Sequence, residues 1–169
     1  STDVKEVAAG SGHALCIKND GSLWTAGNNA FGQLGDGTFI NRAVPVLVGA
    51  SGVSFVSAGA NHSLFIKADG SLWSMGSNEF GQLGDSSLIN RSTPVQVIPS
   101  DVSSVSGGSS HTLVLKVDGS LWAMGSNASG TLGDGTTIDS AVPKFIINGV
   151  TSFSAGKDFS LIGKVDGSL

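Results

Sequence analysis

The chain is poor in chemistry-bearing residues. It has one cysteine, four prolines, two methionines and no tyrosine, and only 13% of its 169 residues are charged. A single thiol cannot close an internal disulfide and falls short of any structural zinc set. No apolar run approaches the ~20 residues of a membrane helix, so helical membrane insertion is not expected. Nine Lys and Arg against 13 Asp and Glu give a net charge of −4, with no basic run anywhere. A nucleic-acid partner is excluded on that ground, because phosphate binding needs clustered cations. Few charges beside 40% hydrophobic residues also exclude intrinsic disorder. The length suits one domain, or part of one.

What the chain does have is glycine, 25 residues of it, and a repeat. Gly10, Gly59, Gly108 and Gly156 are spaced by 49, 49 and 48 residues. Three positions after each stand His13, His62, His111 and then Phe159. Asp20-Gly21, Asp69-Gly70, Asp118-Gly119 and Asp166-Gly167 follow in register, then Trp24, Trp73 and Trp122. Next come Asn29, Asn78 and Asn127, and the strings Gly32-Gln33-Leu34-Gly35-Asp36, Gly81-Gln82-Leu83-Gly84-Asp85 and Gly130-Thr131-Leu132-Gly133-Asp134. Each unit closes on a proline, Pro45, Pro94 or Pro143, and an apolar stretch. The units run 4–52, 53–101, 102–149 and a shortened 150–169.

Each full unit carries four strand signals, of the types Val53 to Val56, His62 to Lys67, Ser71 to Met75 and Val95 to Ile98. Between the second and third, Asp-Gly marks a two-residue-type hairpin with the glycine at positive φ. Glycines interrupt every candidate helix. The second strand is apolar on both faces, Leu15 and Ile17 on one and Ala14 and Cys16 on the other, so it is expected between two other sheets. Four antiparallel strands per unit, covered above and below, make the blade of an all-β propeller, with about three and a half blades in this chain.

The pattern Gly-x-x-His, Asp-Gly-x-Leu-Trp-x-x-Gly and Asn-x-x-Gly-Gln-Leu-Gly-Asp resembles the repeat of the regulator of chromosome condensation family, of a bacterial type, over essentially the whole chain. The resemblance implies a seven-bladed ring of repeats about fifty residues long. Ala26, Met75 and Met124 stand where the family often has a second tryptophan, Thr131 where it has glutamine, and Phe159 where it has histidine. Members include an exchange factor for a nuclear small GTPase, a plant ultraviolet-B receptor, inhibitors of β-lactamase and many bacterial proteins, so the family fixes a fold and leaves function open. Seven units would need about 343 residues. The chain is therefore expected to be a piece of a longer ring, or to close with a second copy. The strand count favours the former, because the last unit lacks strands three and four.

Chemical sites are few. His13, His62 and His111 lie one unit apart, too far to share a zinc, and read as buried imidazoles bonded to backbone. Trp24, Trp73 and Trp122 read as core. Cys16 takes the apolar slot of Phe65, Val114 and Ile162, where a thiol is inert. Asp36, Asp85 and Asp134 sit in Gly-Asp turns that lack the oxygen count of a calcium loop, and they read as bonding their own turns. No Ser-His-Asp set and no phosphate loop is present, so catalysis, metal and cofactor are not expected.

The loop between Gly-Asp and the proline is the remaining candidate. Ile40, Ile89 and Ile138 recur and read as anchors, while Phe39 and Leu88 vary and are expected to project beside Arg42 and Arg91. Apolar-plus-Arg is the composition of interface hot spots, although each Arg reads more readily as pairing with its own loop's Asp. Phe39, Arg42, Leu88 and Arg91 are thus the expected partner-binding residues of a non-enzymatic interaction module. The occupant is a protein, or further copies or the rest of the same propeller. A regulator of an enzyme or small GTPase and a structural surface or filament component are the alternatives. The Ser/Thr/Asn-rich, Lys-poor composition leans toward an extracellular or cell-surface setting.

Overall fold

The computed structural model describes residues 3–168, all of it strand, turn and loop. The first sheet consists of β1 (Val4–Ala9), β2 (His13–Lys18), β3 (Leu23–Gly27) and β4 (Arg42–Val48). The second holds β5 (Val53–Ala58), β6 (His62–Lys67), β7 (Leu72–Gly76) and β8 (Arg91–Ile98). The third holds β9 (Val102–Gly107), β10 (His111–Lys116), β11 (Leu121–Gly125) and β12 (Ser140–Ile147). A two-stranded sheet of β13 (Val150–Ala155) and β14 (Ser160–Lys164) follows. Within each sheet the strands pair antiparallel in chain order. These are three propeller blades and the first half of a fourth, as the repeat implies.

First strands lie against first strands of the next sheet, β1 with β5, β5 with β9 and β9 with β13. They therefore line the ring axis, and the fourth strands form the outer edge. That position explains Pro45, Pro94 and Pro143, each of which lies inside a fourth strand. Proline cannot donate to a ladder, so it is tolerated on an edge and discourages further pairing there. The fourth strands begin at Arg42, Arg91 and Ser140, several residues before the proline and earlier than the apolar stretch suggests.

The core lies between blades. Leu15, Ile17 and Leu23 of the first blade pack on Val53, Val56, Phe65 and Met75 of the second. Leu64, Ile66 and Leu72 meet Val102, Val105, Val114 and Met124 in the same way. All the side chains of β6 but Lys67 are buried, as expected for a second strand between two sheets. On β2 the expectation holds for one face only. Ala14 is exposed and Cys16 half-buried, because no described sheet lies against them.

The second hairpin is a three-residue loop rather than the two-residue type. Gly21 N–H bonds Lys18 C=O at 2.9 Å, and Lys18 N–H bonds Ser22 C=O at 3.0 Å. A tight turn over Asn19 and Asp20 is thus followed by Gly21 at φ 76°, the left-handed region that favours glycine. Asp20 Oδ1 accepts from Ser22 N–H and Oγ–H, and Ser22 Oγ accepts from Trp24 Nε1–H at 3.0 Å. Lys18 Nζ caps the indole at 4.0 Å from the ring centre. Trp73 and Trp122 repeat this arrangement, so the three indoles are half-buried under a lysine rather than enclosed in the core.

Candidate interaction surface

Antiparallel order brings the loops after first strands and after third strands to one end of the blades. The loop after β3 has little regular structure, yet its polar groups are accounted for. Asn29, fully buried, donates through Nδ2 to Asp36 Oδ1 at 3.1 Å, Thr38 C=O at 3.0 Å and Ile40 C=O at 3.2 Å. Its Oδ1 accepts from Leu34 N–H at 2.9 Å, and its own N–H donates to Asn41 Oδ1 at 2.7 Å. One amide side chain thus substitutes for a missing ladder, which is why asparagine recurs at this position. Asn78 and Asn127 make the same bonds one and two blades on.

The aspartates complete the loop as expected of turn residues. Asp36 Oδ1 accepts from Thr38 N–H and Oγ1–H, and Oδ2 accepts from Arg42 Nε at 2.7 Å. Asp85 does the same with Ser87 and with Arg91 Nε, also at 2.7 Å. In the third loop Ser140 stands where the arginine would be, and Lys144 from β12 pairs with Asp134 instead. Burial tends to raise the Asp36 and Asp85 carboxyls, but the hydroxyl and guanidinium bonds outweigh it and hold both below the usual range. Lys144 and Thr136 hold Asp134 lower still. With these oxygens engaged, the loops have no vacant cation cage. Among the described residues no cluster of three or more His, Cys, Asp or Glu could hold a metal.

The first two loops are also latched to the next blade. Gly37 N–H donates to Ser92 C=O at 2.8 Å and Ser86 N–H to Ala141 C=O at 3.0 Å. A side chain at Gly32 would meet the backbone of Arg91 and Ser92, so that glycine is set by close approach.

The histidines join blades from within. His13 Nε2 lies 2.9 Å from Ser63 Oγ of the next blade, and Ser63 Oγ–H donates to Gln33 C=O at 2.7 Å. A hydroxyl has one proton and the carbonyl can only accept, so Ser63 accepts from His13 and Nε2 carries the hydrogen. His62, Thr112 and Gln82 form the second relay, and His111, Ser160 and Thr131 the third. The imidazoles are buried as expected, but their Nε2 partner is a side-chain hydroxyl one blade away rather than backbone. Burial lowers the pKa of His13 and His111 to about 4 and of His62 to about 3, so all three are neutral near pH 7.

What the loops leave outside is apolar. Phe39 and Leu88 are exposed as expected. Ile40, Ile89 and Ile138 are not anchors, being 62%, 65% and 71% exposed. The anchoring is done by the buried asparagines, so the pairs Phe39-Ile40 and Leu88-Ile89, and Ile138 in the third loop, are released to solvent. Arg42 and Arg91 lie beside these tips, each held by its own aspartate.

The axial mouth at the same end is lined by Gly10, Ser11, Gly59, Ala60, Gly108 and Ser109 among others. It offers mostly small side chains and backbone, with Lys157 at its rim.

Among curated proteins none matches the chain significantly. Human WBSCR16 superposes with a TM-score of 0.85 at 24% identity, over 95% of this chain and 44% of that one. Prp20p from Saccharomyces cerevisiae superposes with a TM-score of 0.82 at 24% identity, over 99% of this chain and 44% of its own. Yeast RCC1 (Prp20), in its complex with Kap60, gives a TM-score of 0.83 at 23% identity over 99% and 43%. The chain spans less than half the length of these relatives. Two family models, both described as the regulator of chromosome condensation (RCC1) repeat, match it, one over residues 20–66, 69–115 and 118–162, the other over 4–33, 53–82 and 102–131. With its histidine, tryptophan and asparagine networks recurring blade by blade, the chain belongs to the regulator of chromosome condensation repeat family.

Proposed function

We propose that this chain is a non-enzymatic protein-interaction module whose contact surface is the row of loops after the third strands. The observation that carries this reading is the pairing of exposed apolar tips, Phe39-Ile40 and Leu88-Ile89, with loops that are wired by buried asparagines and latched to the next blade. Pre-ordered loops lose little entropy on binding, and exposed apolar side chains on them provide area to bury. In this reading Arg42 and Arg91 fix the loops and flank the contact. The relatives add support in kind: the yeast Prp20p structure is described with binding to Gsp1p and histones, and another shows Kap60 bound to it. The acidic balance of this chain favours a protein over a nucleic acid as the ligand.

The test replaces Phe39, Ile40, Leu88 and Ile89 together by alanine and compares the proteins each form captures. All four are exposed, so the circular dichroism spectrum and melting behaviour should be kept. Loss of partners that the parent chain retains supports the reading, and an unchanged set overturns it.

A further inference from the structure

The segments that join one blade to the next lie at the end of the blades opposite the loop tips. They comprise residues 49–52, 99–101 and, before the two-stranded sheet, 148–149 alone. Their last two residues correspond, Ser51-Gly52, Ser100-Asp101 and Asn148-Gly149, each pair followed by a buried valine. Ser51 and Ser100 are exposed although each lies between two full blades. Exposure therefore belongs to this position of the repeat, and Asn148 shares it.

Asparagine followed by glycine occurs nowhere else in the chain. The pair has its own chemistry, because a backbone nitrogen with no side chain beside it can reach the carboxamide carbon of the preceding residue. At Asn148 nothing holds the two groups apart. Among the described residues the Asn148 amide makes no hydrogen bond and Gly149 N–H donates to no acceptor. Gly149 lies at φ 74°, and no other group comes within 4 Å of the place a side chain there would take. The Asp-Gly hairpins differ on each count. Asp20, Asp69 and Asp118 accept from Ser22, Ser71 and Ser120, which hold the carboxyls below their ordinary range and hence ionised, a poor target for a nucleophile. Asn29, Asn78 and Asn127 are buried with their amides engaged.

We propose that Asn148-Gly149 is a self-modifying site, at which the folded chain converts its own asparagine to aspartate and isoaspartate. Gly149 N bonds to Asn148 Cγ, its proton and the side-chain amino group leave together as ammonia, and a cyclic succinimide remains. Water then opens the ring. Cleavage of the new bond to Cγ gives aspartate. Cleavage of the bond from Gly149 N to the Asn148 main-chain carbonyl gives isoaspartate, with the backbone rerouted through Cβ. No oxidant or reductant is consumed. Either product adds a negative charge to the net −4, and isoaspartate also lengthens the joint by one carbon. That joint is docked by Val150 N–H on Gly119 C=O at 3.1 Å and by Val165 N–H on Gly149 C=O at 2.9 Å. The modification thus acts on blade docking, and it does not depend on the loop surface.

Peptide mapping by mass spectrometry of the folded chain held at pH 8 tests this, with isoaspartate quantified by enzymatic methyl transfer. The peptide containing Asn148 should be converted at least about tenfold faster than any other. Conversion should be slower at pH 6, because the attacking nitrogen must lose its proton. Asn148→Ser, which copies Ser51-Gly52, should abolish it. Gly149→Asp copies Asp101, which adopts φ 67° at this position, and its side chain should slow the attack about tenfold. In aged parent protein, amide exchange at Val150 and Val165 should quicken. Conversion of this peptide in the urea-unfolded chain but not in the folded one would show that the fold shields the site, and would overturn the proposal. Conversion spread evenly over the Asp-Gly hairpins would overturn it equally.

Discussion

His62 of the second blade reaches Thr112 of the third, Nε2 to Oγ1 at 3.0 Å, and Thr112 Oγ1–H donates to Gln82 C=O at 2.8 Å. Three groups from two blades thus satisfy one another in a seam that is otherwise hydrocarbon. Thr112→Val keeps the shape and strands both the imidazole N–H and the carbonyl. It should cost about 2 kcal/mol or more, read as a lower urea midpoint at unchanged slope. Adding His62→Phe, which replaces the stranded N–H by an apolar ring, should restore part of the loss. A single variant as stable as the parent would contradict the relay.

Acid should destabilise the fold in two stages. Folded imidazoles titrate at about 4 for His13 and His111 and about 3 for His62, against 6.5 when unfolded. Below pH 6.5 the unfolded chain takes up protons that the folded chain refuses. The histidine contribution is whole above that pH and is lost as the pH falls toward 4. Each imidazole contributes about 1.4 kcal/mol per pH unit once its unfolded form is protonated. The lowered carboxyls of Asp36 and Asp85 hold stability above their ordinary pKa of 3.8, and that share goes as the pH falls through their folded values. Urea titrations at pH 7.5, 6, 5 and 4 check this, and equal midpoints from pH 7.5 to 5 would contradict it.

Asn78→Ala should be the most damaging small change in the second loop. It removes donors to Asp85, Ser87 C=O and Ile89 C=O and the acceptor of Leu83 N–H. A loss of about 3 kcal/mol, with faster amide exchange over residues 83–90, is expected from stranding several buried groups at once. Protection that survives in this loop would show that the asparagine does not organise it.

Ser86 has φ 65° where the other loops have Gly37 at 82° and Gly135 at 78°. The left-handed conformation costs an L residue roughly 1 kcal/mol, partly offset by the greater chain entropy of glycine when unfolded. Ser86→Gly should therefore raise the melting temperature slightly. A drop would mean that the serine side chain contributes more than its strain costs.

Much of the fold could be read from the spacing alone, since Asp20-Gly21 and its copies, the interrupted glycines and the doubly apolar second strand admit few alternatives. The harder features involve distance in sequence. Nothing local to His13 names Ser63 as its partner, which lies 50 positions away. The signal present is the residue after each ring, Ala14, Ser63, Thr112 and Ser160, a hydroxyl in three of the four copies. Ile40, Ile89 and Ile138 depart from expectation for a related reason. Recurrence suggests burial, but the buried recurrent residue of each loop is the polar asparagine, whose bonds satisfy backbone groups that an apolar side chain could not. Cys16 reads as core because Phe65 and Val114 are buried, and it is half-buried because no described sheet lies against it.

The whole account depends on blades locked face to face so that their loops stand fixed. Nitrogen NMR of the three imidazoles tests that most directly. Locked blades require Nε2–H tautomers for His13, His62 and His111 that stay neutral down to pH 5. Titration of these rings near 6.5, or a proton on Nδ1, would show that the seams are not closed as described.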